Sequence, residues 1–307
     1  MNRTTALTAA LLTGLTLSAC GGSDPLDDSG GGGEDAGSSG DSGSGTVTVG
    51  SANFPENVLL AEIYAAALED AGVTVDTRLN IGNRETYIQG IQDGSIDLIP
   101  EYTGNLTLFF NPEAEATDPE GVYSELQEAL PEGLTVLERS EAEDKDSLVV
   151  TQQMAEEKGI ESIADLEPVA GELVLGGPPE FEEREYGVPG LKEVYGLEFS
   201  AFRPLAAGSN LTVQSLINGQ VDVANIFSTD PAIAENDFVV LEDPESLFVA
   251  QNVVPLISED ALNDTVAEAL NGVSSELDTD LLTELLSRVV TDGENPEDVA
   301  RDFVDNL

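Results

Sequence analysis

Hydrophobic positions along the chain switch period repeatedly, and each switch marks an element. Val47-Thr48-Val49 alternates as a short strand. From Glu56 to Ala71 the period becomes helical, with Leu59, Leu60, Ile63, Ala67 and Leu68 on one face. Val73 to Leu79 reads as a strand, Arg84 to Gln92 as a helix and Ile96 to Ile99 as a buried strand. Three helices are expected at the end of the chain, over Asp260–Leu277, Asp280–Val290 and Pro296–Asp305. In the second of these Leu281, Leu282, Leu285, Leu286 and Val289 recur at helical spacing, which predicts core packing. Strands alternating with helices predict an α/β fold with a largely parallel sheet.

One passage repeats. Ile88-Gln89-Gly90-Ile91-Gln92-Asp93-Gly94-Ser95-Ile96-Asp97-Leu98 is echoed by Val213-Gln214-Ser215-Leu216-Ile217-Asn218-Gly219-Gln220-Val221-Asp222-Val223. Each reads as a helix closed by a left-handed glycine, then a buried strand introduced by an aspartate. Polar, turn-like residues follow each strand: Pro100 to Asn105, and Phe227 to Pro231. Ligands in α/β sheets bind beyond the carboxyl ends of strands. Two similar lobes offering such loops therefore suggest one ligand held between them.

The first twenty residues have the form of a signal sequence, with Arg3 followed by the mostly apolar stretch Ala6 to Leu17. That stretch is too short to span a bilayer. Leu17-Ser18-Ala19-Cys20-Gly21 resembles the bacterial lipobox, which implies a lipid anchor on Cys20. Residues 21–46 are almost entirely Gly, Ser and Asp and read as a disordered leash. A coil of that length holds its ends roughly 30 Å apart.

Charge narrows the functional classes. The chain has 60 acidic and 11 basic residues and no histidine, and only six of the acidic residues and Arg3 lie before residue 47. A surface so negative repels nucleic acid. Without histidine, and with Cys20 as the single cysteine, the Ser–His and Cys–His nucleophile systems, intrachain disulfides and thiolate metal clusters drop out. No metal or cofactor is expected. A carboxylate-pair hydrolase is the rival from the enzyme class. It is opposed by the absence of tryptophan and the modest count of six tyrosines for stacking sugar. The acidity serves either solubility or a saline habitat.

Five segments occur in order: Ser51 to Asn57, Gly94 to Asn105, Pro178-Pro179-Glu180-Phe181, Phe227-Ser228-Thr229-Asp230 and Asn252-Val253-Val254-Pro255. Together they resemble the substrate-binding proteins of osmoprotectant (glycine betaine, choline, carnitine) ABC importers, over nearly all of residues 47–307. The resemblance implies a two-lobed α/β fold of the type II periplasmic-binding-protein kind, closing on its ligand about two crossing strands. The crossings are placed near Leu148–Thr151 and Phe248–Gln251. One lobe is then 47–148 plus 250–307 and the other 149–249. The implied partners are a small-molecule solute and membrane permease subunits, and the protein itself is expected to be a monomer outside the cytoplasmic membrane.

Ligands of that family carry a quaternary ammonium, held by aromatic ring faces. By position, the resemblance implicates Asn53, Phe54, Asn57, Tyr102, Thr103, Asn105, Asp146, Phe227, Ser228, Thr229 and Gln251. Tyr102 is the leading cage residue. Phe227 stands where the family usually has tyrosine, and Asp146 and Gln251 fall at two further ring positions. These departures leave open a different compatible solute or an amino-acid-like zwitterion. Arg84 and Arg184 are candidates for the cleft, with a surface or interlobe ion pair as the alternative. Glu180 and Phe181 follow the Gly176-Gly177-Pro178-Pro179 loop, which offers either backbone donors or a plain turn. Tyr186 and Tyr195 read as packing residues. A ligand-sensing partner protein would share all of these features.

A saline origin of the charge predicts a thermal midpoint that climbs steeply between dilute buffer and about 1 M salt, where the screening length falls to about 3 Å. A midpoint indifferent to salt removes that reading.

Overall fold

A computed structural model describes residues 45–307. The expected signal sequence, Cys20 and all but the last two residues of the 21–46 leash lie outside the described residues. The elements run β1 (Val47–Gly50), α1 (Pro55–Asp70), β2 (Val75–Arg78), α2 (Arg84–Gln92), β3 (Leu98–Tyr102), α3 (Thr103–Phe110), α4 (Pro119–Ala129) and β4 (Leu134–Val136). Then come β5 (Asp146–Thr151), α5 (Gln152–Lys158), β6 (Val174–Gly177), α6 (Val188–Tyr195), β7 (Ala201–Pro204), α7 (Asn210–Ile217), β8 (Val223–Phe227), α8 (Ala232–Glu235) and β9 (Phe238–Val240). The chain closes with β10 (Val253–Ser258), α9 (Asp264–Glu276), α10 (Thr279–Val290) and α11 (Pro296–Val304).

These strands make two five-stranded sheets of one design, ordered β2-β1-β3-β10-β4 and β7-β6-β8-β5-β9. Each is mixed rather than largely parallel. The first three strands in each order run parallel, and β10 or β5 lies antiparallel to both of its neighbours. Those antiparallel strands enter from the segments joining the two sheets, not through a helical crossover, so nothing forces them parallel.

The repeated passage has a common structural job. Gly94 and Gly219 take φ values of +75° and +62°, the left-handed region that lets the helix end. Asp97 and Asp222 then turn their carboxylates onto the neighbouring strand, accepting from the N–H groups of Thr48 and Val174 at 2.8 Å each. An acceptor at the mouth of each parallel pair fixes its register where the ladder has yet to begin.

Each sheet is covered on both faces. Leu59, Leu60, Ile63 and Leu68 of α1 pack with Val266, Leu270, Leu282, Leu285 and Phe303 of the last three helices. The opposite face of that sheet carries Ile88, Ile91, Ile99, Leu106, Leu126 and Leu256. The second sheet is likewise sandwiched between two apolar clusters, one around Leu148, Leu175 and Leu191, the other around Val149, Val213 and Ile226. The helix expected over Asp280–Val290 therefore packs core, as its spacing predicts.

Two boundaries differ from expectation. Residues 100–102 continue β3 instead of turning, because β10 pairs Pro255 with Pro100, Val254 with Glu101 and Val253 with Tyr102. The facing prolines cost the sheet nothing there. Pro100 O accepts from Asn57 Nδ2 and Pro255 O from the Leu137 N–H, so both residues turn their hydrogen-bonding edge away from each other. Leu148–Thr151, expected to cross between lobes, lies inside β5 and pairs with β8 and β9. The two connections instead meet at a bridge between Glu143 and Asn252.

Beside that bridge the start of α3 is pressed onto the return connection. Thr103 N–H donates to Asn252 O at 3.0 Å, and Asn252 N–H donates to Thr103 Oγ1 at 3.0 Å. A Cβ on Gly104 would overlap the Ala250 carbonyl oxygen and Val249 Cγ2. Gly104→Ala is therefore expected to lower unfolding free energy by about 1–3 kcal/mol, read by urea denaturation, since a rigid backbone atom has to move. A loss within about 0.5 kcal/mol would show that the contact is easily relaxed.

Candidate functional site

A cleft enclosing about 620 Å³, its open mouth included, lies where the two sheets face each other. The β1–α1 turn supplies Asn53 and Phe54, α2 supplies Asn83, Arg84 and Tyr87, and the β3–α3 junction supplies Tyr102 and Asn105. Glu180, Phe181 and Arg184 follow β6 on the opposite side, Phe227 ends β8, Asp144 comes from the crossing between the sheets and Asp146 opens β5. Most contributors sit at or just beyond a strand end or near a helix start, where side chains from both sheets can converge.

Aromatic rings set the shape. Phe54 stacks on Tyr102 at 6.2 Å between centroids and meets Phe227 from the other sheet at 5.2 Å and 47°. Phe181 and Tyr87 add further ring surface to the wall. Ring faces carry negative quadrupole potential and can hold a cation that has no hydrogen to donate.

One wall is pinned by a buried ion pair. Arg84 places Nε and Nη2 on the two oxygens of Glu101 at 2.8 and 2.7 Å. Glu101 is completely buried, and it also accepts from Tyr87 Oη at 2.7 Å and the Tyr102 N–H at 3.0 Å. Among the described residues Arg84 Nη1 has no protein acceptor, and the side chain lines the cleft. Across the opening, Arg184 pairs with Glu85 at 3.1 Å and donates to Tyr186 Oη at 2.7 Å. Burial works against the Glu85 carboxylate, yet the Arg184 hydrogen bond holds its pKa below the ordinary range.

A second cluster joins three parts of the chain. Glu56 accepts from Tyr102 Oη at 2.7 Å and from the Thr229 hydroxyl. The Thr229 N–H donates to Asp144 at 3.2 Å, and Ser228 Oγ to the same oxygen at 3.4 Å. Burial pushes Glu56 up, and the hydrogen bonds from Thr229 and Tyr102 only partly offset it. Burial and then the Glu56 charge push Asp144 well above the carboxylate range.

Residues 45–306 match a family described as the substrate binding domain of ABC-type glycine betaine transport systems. A glycine-betaine-binding protein of Pseudomonas aeruginosa is 28% identical over 276 residues, 84% of this chain and 87% of the relative. The glycine betaine-binding protein YehZ of Escherichia coli is 28% identical over 272 residues, 84% of this chain and 89% of its own. A solved structure described as a glycine betaine/carnitine/choline ABC transporter superposes with a TM-score of 0.66 at 21% identity, covering 85% of this chain and 98% of that one. The fold is thus the two-lobed type II periplasmic-binding-protein fold.

Of the residues singled out by sequence, Asn53, Phe54, Tyr102, Asn105, Asp146 and Phe227 line the cleft together. The others support it from behind. Asn57 accepts from the Ala52 N–H at 2.7 Å and donates to Pro100 O at 2.9 Å, which ties the β1–α1 turn to β3. Thr103 braces the return connection, and Gln251 exchanges two hydrogen bonds with Asn105, accepting at 2.9 Å and donating at 2.7 Å. Asp146, placed by the resemblance at a ring position, is held by Asn105 Nδ2 at 2.9 Å and Asn225 Nδ2 at 3.0 Å. Ser228 and Thr229 serve the carboxyl cluster.

Arg84 and Arg184 both reach the cleft, and both also form ion pairs. Tyr186 and Tyr195 pack in the core of the second lobe as expected, though Tyr186 also receives Arg184. Glu56, Tyr87 and Asp144 went unrecognised. Glu56 lay within the quoted Ser51–Asn57 motif, but nothing local shows that an acidic residue in a first helical turn faces inward.

Truncating Arg84 strands a buried carboxylate, so Arg84→Ala is expected to cost about 3–5 kcal/mol by urea denaturation of the ligand-free protein. Tyr87→Phe, which removes one hydrogen bond from Glu101, should cost about 1 kcal/mol. Equal losses in the two variants would show that the charge pair carries no special weight.

Proposed function

The chain belongs to the substrate binding domains of ABC-type glycine betaine transport systems, and from that premise we propose that its cleft captures a quaternary-ammonium compatible solute for delivery to a membrane permease. It is a solute-binding protein and not an enzyme. The observation that carries the ligand assignment is the contact of Phe54, Tyr102 and Phe227, rings drawn from both lobes, beside Asp144 and Asp146. The rings take the methylated cation, and the two carboxyl groups supply charge of the right sign. A ligand carboxylate is suited by the unengaged Nη1 of Arg84, with Arg184 and Asn53 nearby.

Capture follows by closure about the paired connections at Glu143 and Asn252, and the Phe54–Phe227 and Arg184–Glu85 contacts across the cleft are the ones that hold the closed form. Lipidation of Cys20 would keep a monomeric body within reach of its permease, on a leash of roughly 30 Å. A second ligand reading, an unmethylated amino-acid-like zwitterion, is favoured by the presence of both arginines and carboxyl groups in one cleft.

Calorimetric titration with glycine betaine, choline, carnitine, proline betaine, proline and ectoine separates the two. Micromolar binding of a methylated amine is expected. Tyr102→Ala and Phe227→Leu should each weaken it by roughly tenfold or more, because a desolvated cation–ring contact contributes about 2 kcal/mol. Binding of proline alone would leave the fold in place and overturn the ligand.

A further inference from the structure

The pairing of Glu56 with Asp144 lies outside what a simple aromatic cage requires. The two carboxyl groups come from different places, Glu56 from the first turn of α1 and Asp144 from the crossing between the sheets. Thr229, from the loop after β8, reaches both through its hydroxyl and its N–H. Glu56 and Asp144 are 2% and 4% exposed, and Thr229 bridges them, its hydroxyl on one carboxyl group and its N–H on the other.

What faces the pair is almost wholly neutral or acidic. Tyr102 approaches from β3, and Ser228, Thr229 and Asp230 from the loop after β8. From α10 only Leu286 and Val290 line the adjoining crevice. Lys145, next to Asp144 in the chain, pairs with Glu143 instead, and neither Glu56 nor Asp144 has a basic partner among the described residues. Two buried carboxyl groups bridged by one threonine, with no cation between them, cannot both be ionised at ordinary cost, so the pair holds one proton between them. Glu56 sits behind Tyr102, whereas Asp144 opens onto the cleft beside the three rings.

We infer that the Glu56–Asp144 pair is an exchangeable counter-charge, holding a proton in the free protein and releasing it when a quaternary ammonium occupies the ring cluster. This rests on the proposed ligand class. The exchange balances: neutral Asp144 and the bound cation become carboxylate and cation, and the proton leaves to solvent. Because the complex then holds fewer protons than the free protein, affinity rises with pH, by up to about tenfold per unit, and levels off once free Asp144 is itself ionised. The chain contains no histidine, so that source of release near neutral pH is absent. Arg84 and Arg184 stay charged throughout.

Titration of the protein with glycine betaine and choline near neutral pH, in phosphate and again in Tris, counts the protons. The expected result is a binding enthalpy that differs between the buffers by up to one proton's ionisation heat. That difference should vanish in Asp144→Asn and shrink in Glu56→Gln, where Asp144 loses its charged neighbour. A wild-type enthalpy identical in both buffers overturns the inference and leaves the ligand assignment standing. Binding of no quaternary ammonium compound, carnitine and proline betaine included, would defeat the ligand assignment instead. The free protein then decides alone, through the infrared C=O stretch of a protonated carboxyl at neutral pH. Its absence overturns the inference. Its presence in wild type and loss in folded Asp144→Asn upholds the proton on the pair.

Discussion

The cleft depends on how the return connection seats against the first turn of α3. Asn252 and Thr103 exchange backbone and hydroxyl hydrogen bonds, Gly104 leaves no room for a side chain, and Gln251 locks Asn105 from two sides. This seam joins residues about 150 positions apart in sequence. It places Tyr102 and Asn105 on one side of the cleft and, through Asn105 and Asp146, reaches the first strand of the second lobe. Polar contacts thus concentrate beside the Glu143–Asn252 bridge, where the proposed closure would have its pivot.

Charge is handled differently inside and out. The surface is overwhelmingly acidic, and some of its few basic residues form exposed or half-exposed pairs such as Arg288 with Glu294 and Asp302. Pairs of that kind contribute little individually. The cleft, in contrast, concentrates two arginines, an almost entirely buried bidentate ion pair and a carboxyl pair within one enclosure. Desolvation makes each of these groups expensive to leave unmatched, which suits the doubly charged ligand class proposed for the cleft. A long-range negative field also draws cations toward the mouth, although salt at saline strength would screen that attraction.

Much of this was legible in the sequence because it is local. The helical periods of α1 and α10, the closing glycines at 94 and 219, and the alternation of strands with helices are all set within one or two turns of chain. The repeated passage even indicated that two lobes share a plan, since each copy needs the same glycine and aspartate for the same geometry. The motifs that carry the family resemblance likewise lie in short runs. They led to Asn53, Phe54, Tyr102, Asn105 and Phe227 in the cleft wall.

Tertiary structure decided what no window of sequence contains. The extension of β3 through Tyr102 exists only because β10 arrives from the far end of the chain to pair with it. Asn57 and Thr103 stand in motifs alongside cleft-lining residues and Gln251 directly precedes another motif, yet packing turns their polar groups onto backbone and neighbouring side chains. Glu56 and Asp144, 88 residues apart and unremarkable among 60 acidic residues, become a pair only when the crossing and the β8 loop close over α1. Local sequence specifies secondary structure through short-range sterics and hydrogen bonding. Which buried charges meet is set by long-range closure, and that is where this chain's binding chemistry resides.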